Sequence, residues 1–270
     1  MGVLNITPDS FSDGGLLLAS NKPDLPCVLN TARQMLAEGA AILDVGGQST
    51  RPGAEAVSVD DECHRVIPVL ERLLELDTIV SIDTCKTEVA AQAVALGCHL
   101  VNDVCGLRSY DMCRLVADSD VAVCIMHMQG EPRSMQNAPH YSDVVADVRL
   151  FLEQQVSLCR DAGIGNERIL LDPGFGFGKT TEHNLSLLRR LSELEIDGIP
   201  LLVGLSRKST IGNITGRQVG ERVHGSVAAA VIAVQNGASI VRVHDVAATA
   251  DALKVLRAVS RGEQDETIGE

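Results

Sequence analysis

The stretch EGAAILD, residues 38–44, contains in order the signals that predict the fold of this chain. It follows a helix-like stretch, and Gly39 is the residue type that commonly ends a helix in the left-handed conformation. An apolar run comes next, and Asp44 places a polar side chain where the predicted strand ends. The same order recurs in LGCHLVN, residues 96–102, and in NGASIVR, residues 236–242. Helix, glycine, apolar strand and terminal polar residue therefore form a repeated unit.

Predicted strands and helices alternate along the whole chain. Strand-like runs lie at residues 2–6, 41–45, 79–83, 99–103, 121–127, 168–172, 200–205 and 239–244. Helical patterns lie near residues 26–38, 59–76, 86–96, 110–117, 141–162, 182–193, 221–236 and 246–260. Alternation of this kind indicates parallel strands joined by crossover helices. Eight such units predict an α/β fold, a single-domain (β/α)8 TIM barrel, with a doubly wound open sheet as the alternative.

Length and composition fit one barrel. The chain has 270 residues, of which 45% are hydrophobic and only 2% aromatic, and it has no Trp. A core of aliphatic side chains suits buried parallel strands. We expect the barrel to span residues 1–260, followed by a polar tail, RGEQDETIGE, over residues 261–270.

Charge and cysteine usage exclude several classes of function. The net charge of −13 argues against a broad nucleic-acid surface, which needs a basic stripe. The eight cysteines form no Cys-x-x-Cys pair, so we expect reduced thiols in a cytoplasmic protein. The sequence shows no secretory signal, and no apolar run approaches the length of a membrane span.

Polar residues at the predicted strand ends are the candidates for a functional site, because barrel active sites form at the carboxyl ends of the strands. In chain order they are Asn5, Asp44, Asp83, Asn102 with Asp103, His127, Asp172, Ser206-Arg207-Lys208, and Arg242 with His244. Any one of them could be an ordinary helix cap. A polar residue at every strand end favours a site.

The candidates fall into two chemical groups. Carboxylates and amides can pair with a ring that carries several N–H and C=O groups; these are Asp83, Asn102 and Asp172. Cations can hold a phosphate or carboxylate; these are Arg51, Lys208, Arg242 and His244. Asn5 could add an oxygen ligand for Mg²⁺, which usually shares substrate phosphate oxygens.

The stretch GFGFGKT, residues 174–180, has the composition of a phosphate-binding loop but not its spacing. The Walker pattern needs a glycine, four residues, and then Gly-Lys-Ser/Thr. Lys179 and Thr180 match the end of the pattern, but Pro173 stands where the first glycine belongs. Proline has no N–H group to offer a phosphate. The residues alone therefore favour a flexible loop between a strand and a helix.

Eight stretches together resemble one known family. They are GVLNITPDSFSDGG, ILDVGGQSTRPGA, SIDTCKTE, VNDV, IMHMQGEPRSMQ, ILLDPGFGFGKTTEHNL, LLVGLSRKSTIG and IVRVHD. The chain resembles the dihydropteroate synthase family, the pterin-binding enzymes of bacterial folate synthesis, from residue 1 to about residue 258. The family fold is a (β/α)8 barrel, in agreement with the alternation. The chain departs from the family pattern at Gln48, where glutamate is common, and at Thr87, where proline is common.

The resemblance implies a role for individual positions. Asn5 would bind the Mg²⁺ cofactor. The pterin pyrophosphate would be bound by Thr50, Asp83, Asn102, Asp172, Lys208, Arg242 and His244. Other positions would line or support the site: Arg51 at the pyrophosphate, Met126 and Gly204 at the pterin, Phe177, Pro52 and Ser209 near p-aminobenzoate, and Asp13 and Asp44 as supports.

The reaction implied is attack of p-aminobenzoate on 6-hydroxymethyl-7,8-dihydropterin pyrophosphate, giving 7,8-dihydropteroate and pyrophosphate. We expect early loss of pyrophosphate, which leaves a positive charge on the electron-rich pterin. Mg²⁺ and the cations would stabilise the leaving group. The residues expected to carry the chemistry are Asp83, Lys208, Arg242 and His244.

The resemblance also implies partners. Both substrates are small molecules, sulfonamides would compete with p-aminobenzoate, and the family suggests a homodimer formed through helices late in the barrel. Two alternatives remain open. One is a non-catalytic pterin-binding paralogue, and the other is a methyltetrahydrofolate-type methyltransferase, against which the cations of SRKS and RVHD argue.

Overall fold

The computed structural model describes residues 1–8, 17–19, 22–49, 56–130, 135–136 and 138–261. Within these residues, eight strands form one sheet in which each strand is paired in parallel with the next one along the chain. The strands are β1 (Gly2–Asn5), β2 (Ile42–Gly46), β3 (Ile79–Asp83), β4 (Leu100–Asp103), β5 (Ala122–Met126), β6 (Ile169–Asp172), β7 (Leu201–Val203) and β8 (Ala238–Val241). Each overlaps the range predicted from the sequence.

The sheet closes on itself. Val243, just past β8, forms a parallel bridge with Gly2 in β1. The Val3 N–H donates to the Val243 carbonyl at 3.2 Å, and the Val243 N–H donates to the Met1 carbonyl at 2.9 Å. The first and last strands are therefore neighbours, which confirms the barrel and shows that the open sheet is wrong.

Helices lie between the strands. They are α1 (Leu25–Ala37), α2 (Val59–Leu73), α3 (Thr87–Ala95), α4 (Tyr110–Ala117), α5 (Val144–Asp161), α6 (Thr181–Arg189), α7 (Ser209–Thr215), α8 (Val223–Gln235) and α9 (Val246–Arg261). Short 3-10 helices occur at Asn166–Arg168, Leu191–Leu194 and Val219–Glu221, and Leu18–Ala19 pairs with Lys22–Pro23 as two antiparallel strands. Residues 262–270, most of the predicted tail, lie outside the described residues.

Helix α7 was not predicted from the sequence, and neither were the 3-10 helices and the two short antiparallel strands. Helix α7 has only seven residues, too few to show a helical repeat of apolar positions. It ends at Gly216, which has a left-handed φ of 69°. The connection between β7 and β8 therefore holds two helices, α7 and α8, where the sequence reading predicted one.

The recurring glycines end helices as predicted. Gly39, Gly97 and Gly237 follow α1, α3 and α8 with φ of 105°, 95° and 107°. After α1, the Ala40 N–H donates to the Met35 carbonyl at 2.9 Å and the Gly39 N–H donates to the Leu36 carbonyl at 3.0 Å. This pair of bonds is the Schellman motif, which turns the chain sharply into the next strand.

Side chains alternate between two cores along each strand. Leu100, Cys124 and Leu202 form a small apolar cluster, whereas Val101 and Val203, one position away, belong to the large cluster. Successive side chains of a strand point to opposite faces. The small cluster is therefore the inside of the barrel, and the large cluster lies between the strands and the helices.

This alternation positions the candidate site. The residue two positions after each inward side chain also points inward, and it lies at the carboxyl end of the barrel. The inward positions at that end are Asn5, Asp83, Asn102, Met126, Asp172, Gly204 and Arg242, with Asp44 two residues before the end of β2. The main polar candidates therefore share the mouth of the barrel.

Candidate active site

Arg242 connects two carboxylates at the centre of the barrel mouth. Its Nε donates to Asp44 Oδ2 at 2.6 Å, and its Nη2 donates to Asp83 Oδ2 at 2.8 Å. The Asn102 amide donates to the same Asp44 oxygen at 3.3 Å. Residues of β2, β3, β4 and the end of β8 are thereby joined in one buried network.

The network contains more acceptors than donors. Among the described residues, Asp44 Oδ1 and Asp83 Oδ1 are buried without a hydrogen-bond partner. Burial raises the pKa of Asp83 to about 7, and the charge of Arg242 opposes this only in part. A buried acceptor without a donor is costly. The site is therefore suited to a ligand that brings N–H donors or positive charge.

Lys208 lies just after β7, the strand that neighbours β8 in the sheet. Its ammonium donates to the Phe175 carbonyl and lies 4.6 Å from the centre of the Phe177 ring. Burial lowers the pKa of Lys208 to about 8, and the carboxylate of Asp172 opposes that shift. A Cβ at Gly204 would lie 3.8 Å from this ammonium and 3.9 Å from Arg242 Cβ. The bare backbone of Gly204 thus lies beside the Lys208 ammonium and the base of the Arg242 side chain.

Asp172, at the end of β6, is oriented by the loop that follows it. Its Oδ1 accepts a hydrogen bond from the Gly174 N–H at 2.7 Å. Burial raises its pKa, and the charge of Lys208 opposes the rise. Asp172 therefore combines a fixed orientation with a reduced tendency to ionise.

The loop GFGFGK depends on its glycines. Gly174, Gly176 and Gly178 have φ of 69°, 80° and 61°, a region that other residues rarely adopt. A Cβ at Gly174 would lie 1.8 Å from the His127 carbonyl oxygen, and one at Gly178 would lie 2.6 Å from the Gln129 carbonyl oxygen. The loop therefore lies directly against the backbone that follows β5.

Lys179 fastens this loop from inside. Its side chain is only 3% exposed. Its ammonium donates to the carbonyls of Gly174 and Phe177, both at 3.0 Å, and lies 2.9 Å from His127 Nδ1. Burial lowers the pKa of Lys179 to about 7, and burial with the nearby Lys179 charge lowers that of His127 to about 2. This lysine holds protein carbonyls, which agrees with the rejection of a nucleotide loop.

His244 and Arg207 belong to a second network at the ends of β7 and β8. The His244 N–H donates to Ser206 Oγ at 3.2 Å, and His244 Nδ1 lies 3.1 Å from the same oxygen. Arg207 forms a two-point ion pair with Asp245. Ser206 thus helps to hold His244, whereas Arg207 ties the two strand ends together.

Two strand-end candidates face away from the barrel interior. Asp103 accepts from the backbone N–H groups of Cys105 and Leu107, both at 2.8 Å. His127 is buried beside Lys179. Each follows an inward-pointing residue by one position, so its side chain points to the other face of the strand. There it contacts other protein groups and not the barrel mouth.

The remaining predicted residues divide into two sets. Met126 and Phe177 are buried in one apolar cluster with Val104, and Ser209 is exposed at the start of α7. The others, Asp13, Thr50, Arg51 and Pro52, lie outside the described residues.

Sequence reasoning missed a polar contact at the start of the second loop. Lys86 donates to the side chains of Gln48 and Glu62. Glu62 is fully buried on α2, and Arg65 of the same helix donates to the Gly47 carbonyl at 3.0 Å. The sequence signal for this contact was Lys86 itself, a cation three residues after the end of a predicted strand. Lys86 bridges α2 and the segment that leads into the second loop.

Asn5 is a fitting position for a hard cation. An ideal Cβ at Gly46 would lie 3.7 Å from Asn5 Oδ1 and 3.6 Å from Asp83 Oδ2, so both oxygens flank one bare stretch of backbone. In the part of the chain that the structure describes, no group of three or more His, Cys, Asp or Glu side chains could hold a metal. A Mg²⁺ ion here would therefore have few protein ligands, as is usual where substrate phosphates complete its shell.

Comparison with known proteins agrees with this geometry. The family of pterin binding enzymes matches residues 1–244. Dihydropteroate synthase of Escherichia coli K12 is 46% identical over 267 residues, which covers 98% of this chain and 93% of the relative. The Yersinia pestis dihydropteroate synthase in complex with a sulfonamide drug superposes with a TM-score of 0.91 at 46% identity, covering 96% of this chain and 93% of the other.

A further solved structure is Burkholderia cenocepacia dihydropteroate synthase with 7,8-dihydropteroate, which has a TM-score of 0.88 at 46% identity and covers 97% of this chain and 91% of the other. The fold and site thus define a pterin-binding barrel enzyme. The chain belongs to the dihydropteroate synthase family. These matches favour a synthase over the methyltransferase alternative. Across the described residues, no helix has the length and apolar character needed to cross a membrane.

Substitution of Gly174 by alanine tests the packing of the loop against His127. Gly163 also has a left-handed φ, of 86°, but a Cβ there would meet nothing within 4 Å. Both variants share the backbone strain, so we expect Gly174→Ala to lose about 1–3 kcal/mol more free energy of unfolding than Gly163→Ala. Urea denaturation would measure this difference, and equal losses would show that the close approach is unimportant.

The buried Lys179 predicts a pH-dependent stability. The folded protein releases its proton near pH 7, whereas the unfolded chain keeps it up to about pH 10.5. Between these values the unfolded state binds more protons, so the free energy of unfolding rises with pH. Relative to Lys179→Met, the wild type should gain stability across this window, by at most about 1.4 kcal/mol per pH unit. Urea denaturation at several pH values would measure the free energy of unfolding of both proteins. If the two change equally with pH, the assignment is wrong.

Proposed function

We propose that this chain joins 6-hydroxymethyl-7,8-dihydropterin pyrophosphate to p-aminobenzoate, giving 7,8-dihydropteroate and pyrophosphate. The observation that carries the proposal is the buried network of Arg242 with Asp44, Asp83 and Asn102, which leaves carboxylate oxygens without donors at the barrel mouth. A relative of 46% identity contains 7,8-dihydropteroate in its structure, which supports the same product here.

The pterin ring would lie against Asp83, Asn102 and Asp172. A pterin presents several N–H and C=O groups along its edges, and these need acceptors and donors in fixed places. The unpartnered oxygen of Asp83 can accept a ring N–H. Met126, buried next to Val104 and Phe177, would supply an apolar wall, and bare Gly204 would admit the ring.

The pyrophosphate would lie toward Arg242 and His244. Thr50 and Arg51 of the second loop would bind it as well. A guanidinium carries five N–H donors, and the bonds to Asp44 and Asp83 engage two of its nitrogens. The carboxylates therefore orient Arg242 while donors remain for an anion. Mg²⁺, bound through Asn5 and phosphate oxygens, would supply further positive charge against the leaving group.

Bond cleavage would begin at the pterin methylene, where the C–O bond to pyrophosphate breaks. Arg242 and His244 would stabilise the negative charge that leaves. The positive charge that remains would spread over the dihydropterin ring, next to the Asp83 carboxylate. The arylamine nitrogen of p-aminobenzoate would then attack the methylene carbon and release its extra proton to water or pyrophosphate.

The p-aminobenzoate would bind near Lys208 and Phe177, with Ser209 and Pro52 close by. The Lys208 ammonium lies over the Phe177 ring, so an aromatic acid finds an apolar surface and a cation together. The Yersinia pestis relative was solved with a sulfonamide drug. We infer that sulfonamides compete with p-aminobenzoate at this position.

We also propose that the enzyme is cytoplasmic and works as a homodimer. All eight cysteines are free, which suits a reducing compartment. Helices α8 and α9 pack side by side and leave Ile232, Val255 and Val259 43%, 65% and 72% exposed. Val255 and Val259 are one helical turn apart on α9, and exposed apolar side chains on one face commonly mark an interface between subunits.

Substitution of Asp83 and Lys208 tests the proposed chemistry. We expect Asp83→Asn and Lys208→Ala each to lower kcat/KM for dihydropteroate formation by about 100-fold or more, because each removes a charge next to a reacting group. The controls are Asp118→Asn and Arg114→Ala, which remove exposed charges at the end of α4. Product formation would be followed with and without Mg²⁺, and circular dichroism would confirm folding.

Near-normal turnover by a folded Asp83→Asn or Lys208→Ala protein would contradict the assigned roles. Wild-type protein that binds the pterin but forms no product would instead favour the non-catalytic paralogue.

The dimer is tested by charge substitution on α9. We expect Val255→Glu with Val259→Glu to convert the dimer to a monomer, because the charged side chains could not be buried against a second copy. Leu150→Glu on α5, a side chain 55% exposed, is the control and should leave the dimer intact. Light scattering after size-exclusion chromatography would measure the mass, and a dimer that survives the α9 changes would place the interface elsewhere.

A further inference from the structure

Two cysteines lie next to each other at the edge of the site. Cys85 follows Asp83 by two residues, and Cys105 follows Asn102 by three. Asp83 and Asn102 are paired across β3 and β4, and the Thr84 N–H continues the pairing by donating to the Asn102 carbonyl at 3.2 Å. The two strands therefore bring both thiols to the same edge of the barrel.

The surroundings of the two thiols are apolar and partly open. Both pack against the cluster that contains Val104, Met126 and Phe177, and both are half-buried. Both are free thiols. A small oxidant can therefore reach them, and both lie against the same apolar cluster.

The two thiols also act on each other's pKa. The Cys105 thiol, as a hydrogen-bond donor, lowers the pKa of Cys85, although burial opposes the shift. The interaction with Cys85, together with burial, raises the pKa of Cys105. Burial raises the pKa of Cys63, Cys113 and Cys159. Because the thiolate is the reactive form, Cys85 should react before these three.

We propose that Cys85 and Cys105 form an oxidation site that a peroxide closes reversibly into a disulfide across the carboxyl ends of β3 and β4. A nucleophilic thiol next to a resolving thiol is the usual arrangement of redox-sensitive cysteines. In a cytoplasmic protein such a bond is transient, since the glutathione and thioredoxin systems reduce it again.

The chemistry balances with hydrogen peroxide as the oxidant. The Cys85 thiolate attacks one peroxide oxygen, so that an S–O bond forms, the O–O bond breaks, and hydroxide leaves to become water. The Cys105 sulfur then attacks the oxidised Cys85 sulfur, forming the S–S bond and displacing the oxygen as hydroxide, which takes the Cys105 proton. In sum, two thiols and one peroxide give one disulfide and two waters.

The new bond would restrain the segments that follow Asp83 and Asn102. Both segments contact the wall formed by Met126 and Phe177. We expect the oxidised protein to bind the pterin substrate more weakly, and this consequence rests on the proposed function. The disulfide itself does not depend on it.

The experiment treats the purified, reduced full-length protein with a slight excess of hydrogen peroxide. We expect two of the eight free thiols to disappear and peptide mapping to show Cys85 joined to Cys105. Dithiothreitol should restore both thiols. In Cys105→Ser, dimedone should trap Cys85 as a sulfenic acid, because no resolving thiol is present. Cys113→Ser, which removes another half-buried thiol, should oxidise like the wild type.

The proposal is overturned if both thiols remain free after treatment, if the cross-link joins other cysteines, or if Cys85 is oxidised no faster than Cys113. Mapping needs no substrate, so this failure is separate from that of the proposed function. Failure of the proposed function would appear as absent turnover in the untreated protein. Pterin binding that is weaker after oxidation in the wild type, and unchanged in Cys105→Ser, would support the link to the site.

Discussion

The two-residue period of the strand side chains is the constraint on which the rest of the structure depends. In a closed parallel barrel, one face of every strand points inward, and the inward series ends at the barrel mouth. Leu100 leads to Asn102, Cys124 to Met126, and Leu202 to Gly204. A shift of one residue in any strand would replace a site residue by a residue of the outer core. The core pattern and the site are therefore specified together.

The electrostatic arrangement explains why the site is prepared for ligand and costly without it. Asp44 and Asp83 share a single guanidinium, and each keeps one buried oxygen without a donor among the described residues. Lys208, after the neighbouring strand β7, is a cation with a lowered pKa near an aromatic ring. Each cation of the mouth thus lies near a carboxylate, Arg242 at Asp44 and Asp83 and Lys208 near Asp172. A substrate with a donor-rich ring and an anionic group could bind carboxylate oxygens and cations at once.

Much of this could be predicted from the sequence, because the signals are local. Gly39 and Gly97 end their helices as expected, and every predicted strand is present. The strand-end rule selected Asp83, Asn102, Asp172 and Arg242, which lie at the barrel mouth, and also Asp103 and His127, which face away from it. The alternation of side chains along each strand can be read from the sequence. It would have shown that Asp103 and His127 face away from the barrel interior.

The rest could not be predicted because it depends on residues far apart in the chain. Lys179 also contacts His127, which follows β5 and lies 52 residues earlier in the chain. The placement of Cys85 and Cys105 at the same edge of the barrel depends on the pairing of β3 with β4. Helix α7 is too short for its pattern to show. The roles of Thr50 and Arg51 still rest on resemblance, since both lie outside the described residues.

The closure of the barrel has a consequence for how the protein is made. The Arg242 guanidinium binds carboxylates 198 and 159 residues earlier in the chain. During synthesis Asp44 and Asp83 leave the ribosome before Arg242, so their ion pairs with it must wait for the last strand. Docking of β8 then completes the ring and neutralises the pair in the same event. The barrel and the candidate site are therefore completed together, late in the folding of the chain.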